Sequence, residues 1–119
     1  MNDVTDLRVY QLALSLIKPV YQLADLIKGK DSYLSRSLKK TAVQVPPLIT
    51  EGFAKKKSQK EFGRFIEMAL GSSDEMVTHL RTVSLLGFPN VKGEVCESLM
   101  EKYISLSKQL NSLLKSINS

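Results

Sequence analysis

The sequence predicts an all-α protein, an up-down antiparallel four-helix bundle, from three observations. Apolar residues recur with three- and four-residue spacing in four long segments, and no segment alternates apolar and polar residues as a strand would. Short breaks near residues 29–31, 55–57 and 87–90 separate the segments. Short connections between long helices favour antiparallel neighbours, and a chain of 119 residues fits a single domain, residues 1–119.

The first helix is expected over residues 7–28, with an unusually wide apolar surface. Its predicted core face comprises Tyr10, Ala13, Leu14, Ile17, Val20, Tyr21 and Ala24. Further apolar residues leave only a narrow polar strip, which consists of Arg8, Gln11, Ser15, Lys18, Gln22 and Asp25. A helix that is apolar over more than half its circumference needs cover on two sides. It therefore either makes a subunit contact or is simply the most central helix of the bundle.

The other three helices show narrower apolar faces. The second is expected over residues 32–53, and the fourth over residues 94–117. The third begins at Ser58, where Ser-Gln-Lys-Glu has the form of a capping box, and Gly87 closes it in a Schellman-type cap. The predicted core residues are Leu34, Leu38, Ala42, Val45, Ile49 and Phe53 in the second helix, Phe62, Phe65, Ile66, Ala69, Met76, Leu80 and either Val83 or Ser84 in the third, and Val95, Leu99, Tyr103, Leu106, Leu110, Leu113 and Ile117 in the fourth.

Three prolines fall inside predicted helices. Pro19 lies on the polar strip of the first helix, so the carbonyl that it leaves without a donor can meet water. Pro46 and Pro47 interrupt the second helix. We expect a kink at each site rather than the end of a helix.

The composition argues against catalysis, so we expect no catalytic residues, no metal and no cofactor. His79 and Cys96 are the only residues of their types, whereas a zinc site needs three or four such ligands. No Glu-x-x-His pair for a di-iron centre and no glycine-rich phosphate loop is present. A nuclease that holds a metal through Glu51, Glu67 or Glu75 is a remote alternative.

A cytoplasmic location and a soluble state are expected. Cys96 has no partner for an intramolecular disulfide, which fits a reducing compartment. The N-terminus lacks the pattern of a secretory signal, and no apolar run approaches the ~18 residues of a membrane span. We therefore expect no membrane partner.

Positive charge is concentrated in residues 28–64. This stretch holds ten Lys and Arg residues against three acidic ones, a net charge of +7, so the rest of the chain carries −2 of the total +5. An exposed cluster of this kind binds polyanions by neutralising phosphates, although it can also serve only to keep a protein soluble. The candidate nucleic-acid-binding residues are Arg36, Lys39, Lys40, Lys55, Lys56, Lys57 and Lys60. No aromatic residue interleaves these lysines, so base stacking is not indicated.

The outer face of the third helix is a candidate subunit interface. Its candidate residues are Arg64, Glu67, Gly71, Glu75 and Thr78. Glycine inside a helix costs about 1 kcal/mol relative to alanine. Gly71 therefore suggests either a close contact with another backbone or a tolerated surface glycine. Glu67 and Glu75 are expected to form ion pairs.

Five segments carry a family resemblance in order and spacing. They read DLRVYQ at 6–11, AVQVP at 42–46, EGF at 51–53, KEFGRF at 60–65 and ALGSSDE at 69–75. Together they resemble the bacterial four-helix bundle family called 23S rRNA-intervening sequence proteins, over about residues 6–86. The chain departs from the family at Pro47 and Leu48, where Ser and Asn are common, so we expect no side-chain polar contact at these two positions.

The resemblance implies a four-helix protomer that assembles into a ring-shaped homopentamer. A related branch, the accessory variability proteins of diversity-generating retroelements, forms basic pentamers that bind a reverse transcriptase and nucleic acid. The leading hypothesis is therefore a non-enzymatic oligomer whose basic surface contacts RNA or a nucleoprotein. A purely structural oligomeric scaffold for a protein partner is the alternative, and neither role needs a small-molecule substrate.

Overall fold

The computed structural model describes residues 3–119, which form four long α-helices after a short 3₁₀ turn at Val4–Asp6. The helices are α1 (Arg8–Ile27), α2 (Ser32–Ala54), α3 (Gln59–Leu86) and α4 (Gly93–Asn118). The predicted segments differ from these bounds by a single residue at most, and the all-α fold class is confirmed.

Each helix packs against two neighbours, α1 and α3 both lying between α2 and α4, in a bundle of 48 × 20 × 19 Å. The α1–α2 and α3–α4 turns lie at one end, which we call the head end. The α2–α3 turn lies at the other, the tail end, together with the start of α1 and the end of α4. Across residues 3–119 the structure contains no helix with the length and apolarity needed to cross a membrane.

Side-chain caps fix where α2 and α3 begin. Asp31 Oδ1 accepts a hydrogen bond from the backbone N–H of Leu34 at 2.9 Å, and Ser58 Oγ accepts one from the N–H of Glu61 at 3.2 Å. Such caps satisfy N–H groups that have no partner within the helix. The predicted capping box is only half present, because the Glu61 carboxylate binds Arg64 instead.

The C-terminus of α3 uses a left-handed glycine. Gly87 has φ of 64°, and its N–H donates to the carbonyl of Val83 at 3.2 Å. A single bond of this span is the αL motif, the simpler relative of the predicted Schellman cap. Only glycine adopts this backbone conformation without a steric cost from Cβ.

Helices α1 and α2 continue through their prolines without a break. Pro46 is buried and Pro47 is exposed. Thr50 Oγ1 donates to the carbonyl of Pro46 at 3.1 Å, one turn later. The two adjacent prolines are therefore accommodated inside a continuous helix of the bundle.

The buried face of α1 is rotated about the helix axis relative to the predicted core face. The buried residues of α1 are Val9, Ala13, Leu16, Val20, Leu23, Ala24 and Ile27. Tyr10 and Ile17 are only partly buried, Leu14 is 45% exposed and Tyr21 is 36% exposed. The prediction was wrong for Leu14, Ile17 and Tyr21, whereas Tyr10 packs against the core from its edge. The reason is that α1 is apolar on both sides, and its sequence does not show which side faces the bundle.

The predicted cores of the other helices are largely confirmed. Five predicted core residues near the tail end are only partly buried: Phe53, Phe62, Phe65, Leu113 and Ile117. At the head end Val95 is 41% exposed and Cys96 takes the core position instead. The Cys96 thiol donates to the carbonyl of Leu80, and burial raises the pKa of this thiol.

Candidate nucleic-acid and subunit interfaces

The candidate basic residues form two separate clusters in the protomer. Arg36, Lys39 and Lys40 lie towards the head end, whereas Lys55, Lys56, Lys57 and Lys60 lie at the tail end. Fifteen residues separate Lys40 from Lys55, which corresponds to about 22 Å along a helix axis. The structure therefore does not bring the two groups together within one chain.

In the head cluster, Lys39 is engaged in packing between α1 and α2. Its Nζ lies 2.7 Å from Asp25 Oδ1 and 5.1 Å from the centre of the Tyr21 ring. Arg36 and Lys40 are exposed one turn apart on α2, and no acidic side chain within residues 3–119 pairs with either. The head cluster thus offers two free cations.

In the tail cluster, cations lie over aromatic rings. Lys56 Nζ is 4.0 Å from the centre of the Phe53 ring, and Lys55 Nζ is 5.4 Å from that of Phe65. The rings of Phe53 and Phe62 meet edge to face, with centres 6.5 Å apart. The tail end is therefore both cationic and aromatic.

This association of rings and lysines was missed by the sequence reasoning. Phe53 stands two residues before Lys55, and Phe62 and Phe65 follow the turn. Their assignment to the core treated them as separate from the surface charge. The sequence signal that could have revealed it is the position of the three phenylalanines. Each lies within one or two helical turns of the break at residues 55–57, where side chains on a core face also reach solvent.

Gly52 allows the last turn of α2 to lie close to α3. A Cβ at this buried position would lie 3.1 Å from Cβ of Phe65 and 3.3 Å from the backbone oxygen of Phe62. Nearly all real Cβ contacts are longer than this. This close crossing places Lys55 and Lys56, three and four residues after Gly52, over the rings of Phe65 and Phe53.

Two of the tail-end cations have acidic partners. Lys55 Nζ lies 3.1 Å from Glu51 Oε2, and Arg64 donates from Nε and Nη2 to Glu61 at 3.0 and 3.2 Å. The hydrogen bond from Arg64 lowers the pKa of Glu61 and raises that of Arg64. The Cζ atom of Arg64 also lies 4.4 Å from the centre of the Phe65 ring.

The remaining tail-end cations are not neutralised. Lys56, Lys57 and Lys60 are exposed, and the described part of the chain supplies no ion pair to any of them. All three lie in the α2–α3 loop or within two helical turns of it. The tail end therefore carries a local excess of positive charge.

The predicted stripe on α3 is an exposed surface. All five of its residues, Arg64, Glu67, Gly71, Glu75 and Thr78, are solvent-exposed in the protomer. A Cβ at Gly71 would meet no atom within 4 Å, so no backbone of the same chain approaches it. The space above Gly71 is open to another molecule.

The two stripe carboxylates behave differently. Glu75 Oε2 accepts from the buried Thr41 hydroxyl at 2.9 Å and lies 3.1 Å from Nε2 of His79. Within residues 3–119 Glu67 forms no ion pair, so the pairing expected for it was wrong; the neighbouring Arg64 pairs with Glu61 instead. Glu67 and Glu75 are eight residues apart, or about 12 Å along α3, which exceeds the reach of one metal ion.

Residues 3–119 contain no group of three or more His, Cys, Asp or Glu side chains placed to hold a metal ion. Glu51, the third acidic candidate, pairs with Lys55. The three acidic residues considered for a nuclease are thus not assembled into one site.

Two largely apolar grooves flank the outer side of α2. The α1–α2 groove has a volume of about 420 Å³ and is lined by Tyr10, Leu14, Ile17, Val43, Pro46, Pro47, Thr50 and Glu51. The α2–α3 groove has a volume of about 740 Å³ and is lined by Val43, Gln44, Pro47, Leu48, Met68, Gly71, Ser72 and Glu75.

The two grooves share Val43 and Pro47, so they form one surface, which we call the α2 face. Leu14 and Met68 are each 45% exposed on it, and Val43 is 36% exposed. Pro47 and Leu48 both line the α2–α3 groove and add to its apolar surface. The α2 face joins the wide apolar side of α1 to the Gly71 stripe.

The comparisons agree with the resemblance seen in the sequence. The family model described as 23S rRNA-intervening sequence protein matches residues 5–112. No curated protein matches the chain, and no solved structure does. The match spans α1, α2, α3 and most of α4, so it covers the tail cluster and the α2 face. The chain belongs to the 23S rRNA-intervening sequence protein family.

Proposed function

We propose that this protein is a non-enzymatic homo-oligomer that binds RNA, free or within a nucleoprotein, through its basic tail end. The observation that carries this proposal is the cluster of Lys56, Lys57 and Lys60, which are exposed beside one loop and form no ion pair with any acidic side chain of residues 3–119. Lysines in such an arrangement bind phosphates and release the counterions that phosphates hold. The cluster matches the chemistry of a polyanion better than that of an apolar or cationic ligand.

The α2 face supports the oligomeric part of the proposal. Monomeric proteins rarely expose large continuous apolar surfaces, and those that do generally use them for contacts. Here the exposed apolar side chains of α1 and α2 adjoin the open position at Gly71. A second copy that covers this face would bury Leu14, Val43 and Met68, and the family resemblance suggests a ring of five subunits.

RNA binding is tested by measuring affinity over a salt series. We expect log affinity to fall linearly with log salt concentration, because each neutralised phosphate releases counterions. Replacing Lys55, Lys56 and Lys57 with Glu should lower affinity by roughly tenfold or more at low salt. The matched control replaces Lys92, Lys102 and Lys108, which lie outside the tail cluster, with Glu. Absence of binding at low salt, or equal losses in both triple variants, contradicts the proposal.

Assembly is tested by light scattering coupled to gel filtration. We expect a mass about five times the 13.3 kDa of one chain. A monomer at micromolar concentration contradicts the subunit contact on the α2 face. A mass that corresponds to a closed ring of another size would support the interface on the α2 face and change only the number of subunits.

The apolar head end favours a second candidate function, a scaffold for a protein partner. Leu85 is 85% exposed, Tyr33 is 74% exposed and Leu86 is 55% exposed, all at this end. This function predicts a stable assembly without salt-dependent RNA affinity. The salt series therefore separates the two candidates.

The non-enzymatic part of the proposal has its own test. Purified protein is incubated with RNA and Mg²⁺, and we expect the RNA to remain intact. Cleavage that depends on the metal and is lost in the Glu67→Gln variant would establish a nuclease instead.

A further inference from the structure

We propose that the tail end binds single-stranded RNA by stacking a base on the ring of Phe65, while the surrounding cations hold the phosphates. This inference rests on the proposed RNA-binding function and specifies the form of the ligand and the residue that contacts a base. It differs from simple charge attraction, because a stacked base requires an unpaired nucleotide.

The base of the Phe65 side chain packs against the end of α2. A Cβ at Gly52 would lie 3.1 Å from the Cβ of Phe65, so the two helices are in close contact at this point. Phe65 is only partly buried, and Lys55 Nζ and Arg64 Cζ lie 5.4 and 4.4 Å from the centre of its ring. A ring packed in this way loses little conformational entropy when a base stacks on it.

The ammonium of Lys55 can leave the ring at small cost. Lys55 also pairs with Glu51, but both side chains are about half exposed, at 43% and 54%. Exposed pairs of this kind contribute only about 0–1 kcal/mol. Lys55 can therefore move to a neighbouring phosphate on its flexible stem. Arg64, whose Cζ lies 4.4 Å from the ring centre, stays hydrogen-bonded to Glu61, so the base takes only the place that Lys55 leaves on the ring.

Charge and shape together favour a single strand over other anions. Lys56, Lys57 and Lys60 supply cations around the ring for successive phosphates. A duplex keeps its bases stacked inside and offers no free face, whereas unpaired bases stack on aromatic rings and arginine planes. An acidic peptide would satisfy the cations but supplies no planar group for Phe65. Single-stranded RNA uses both features of the site.

A tryptophan at position 65 reports the stacking directly. The chain contains no tryptophan, so Phe65→Trp introduces a single tryptophan at the site, which can be excited at wavelengths that the four tyrosines do not absorb. We expect saturable quenching when the variant is titrated with a single-stranded oligouridylate, and none with an abasic oligomer of equal length. Tyr33→Trp, at the exposed head end, is the matched control and should not respond. Binding of oligouridylate to the Phe65→Trp variant without quenching overturns the inference.

Affinity measurements on the unlabelled site give a second test. Phe65→Leu should weaken oligouridylate binding by roughly tenfold, the scale of one lost stacked base, and leave the salt dependence unchanged. Phe65→Tyr keeps a ring and should bind like the wild type, and melting curves of both variants check their folding. Equal affinity of Phe65→Leu and wild type overturns the inference, as does equally tight binding of an oligoglutamate of matched charge.

The two proposals fail in distinguishable ways. If the wild-type protein binds no RNA at low salt, the proposed function itself is wrong. If it binds RNA but Phe65→Leu binds equally well, the tail end is an anion surface without base stacking. Only the second result leaves the proposed function standing.

Discussion

Tyr103 is a core residue whose polar hydroxyl group lies in apolar surroundings. Its side chain is 1% exposed, and its hydroxyl is the buried side-chain polar atom in residues 3–119 that lacks a hydrogen-bond partner. Nearby, Ser73 donates to the Tyr103 carbonyl at 3.1 Å and accepts from Ser107 at 2.8 Å. A buried hydroxyl without a partner costs about 1–3 kcal/mol.

Removing this hydroxyl should stabilise the protein. We expect Tyr103→Phe to raise the free energy of unfolding by about 1 kcal/mol, because the ring keeps its packing and the unsatisfied group disappears. Urea denaturation at neutral pH measures the change. Tyr33→Phe, at a position 74% exposed, is the control and should be nearly neutral. A loss of stability in Tyr103→Phe would mean that the hydroxyl has a partner, such as a buried water.

The same residue should make stability depend on alkaline pH. Burial raises the pKa of Tyr103 above its usual value of 10. Above pH 10 the unfolded chain releases this proton while the folded chain retains it, so stability is complete below pH 10 and falls as the pH rises. The slope for one such group approaches about 1.4 kcal/mol per pH unit. Unfolding free energies from pH 9 to 11.5 should fall more steeply in the wild type than in Tyr103→Phe, and parallel profiles would contradict this.

At the scale of the element, the crossing of α2 and α3 at Gly52 determines the tail end. The crossing brings the last turn of α2 against Phe62 and Phe65. Because Lys55 and Lys56 come three and four residues after Gly52, their position over the rings depends on this approach. Packing between two helices thereby arranges a surface that neither helix forms alone.

Gly52→Ala should destabilise the protein despite the better helix propensity of alanine. Alanine gains about 1 kcal/mol over glycine inside a helix. Here, however, the new Cβ meets Cβ of Phe65 and the backbone of Phe62, both of which are anchored in α3. We expect a lower melting temperature, and weaker RNA binding as the lysines shift. Gly93→Ala has open space around its Cβ and is the control. If the Gly52→Ala variant is more stable than the wild type, then α3 shifts away from the new Cβ at little energetic cost.

The same elements show which features of the fold can be predicted from the sequence and which cannot. The helices and their ends were predictable, because periodicity, the Ser58 cap and the Gly87 stop are local signals. The inward side of α1 was not, since both of its sides are apolar. The contact between Lys55 and Phe65 was not predictable either, because it depends on a tertiary crossing whose only local trace is Gly52.

At the scale of the whole molecule, the surface divides by chemistry. The tail end is cationic and aromatic, the head end exposes apolar side chains, and the α2 face runs between them. Assembly through the α2 face would leave both ends free. Each copy would then present its own tail cluster, and several clusters on one assembly would raise the avidity for a long RNA without any new contact.

Disrupting the α2 face should separate the subunits without unfolding them. Val43 is 36% exposed at the centre of this face, so Val43→Glu costs little in an isolated protomer. In the assembly, the same carboxylate would be buried without a partner, which is strongly unfavourable. We expect a smaller mass by light scattering and weaker binding to long RNA, while affinity for a short oligonucleotide stays the same. Leu85→Glu, at a position 85% exposed on the head end, should leave the mass unchanged. If Val43→Glu keeps the wild-type mass, the subunits meet through another surface.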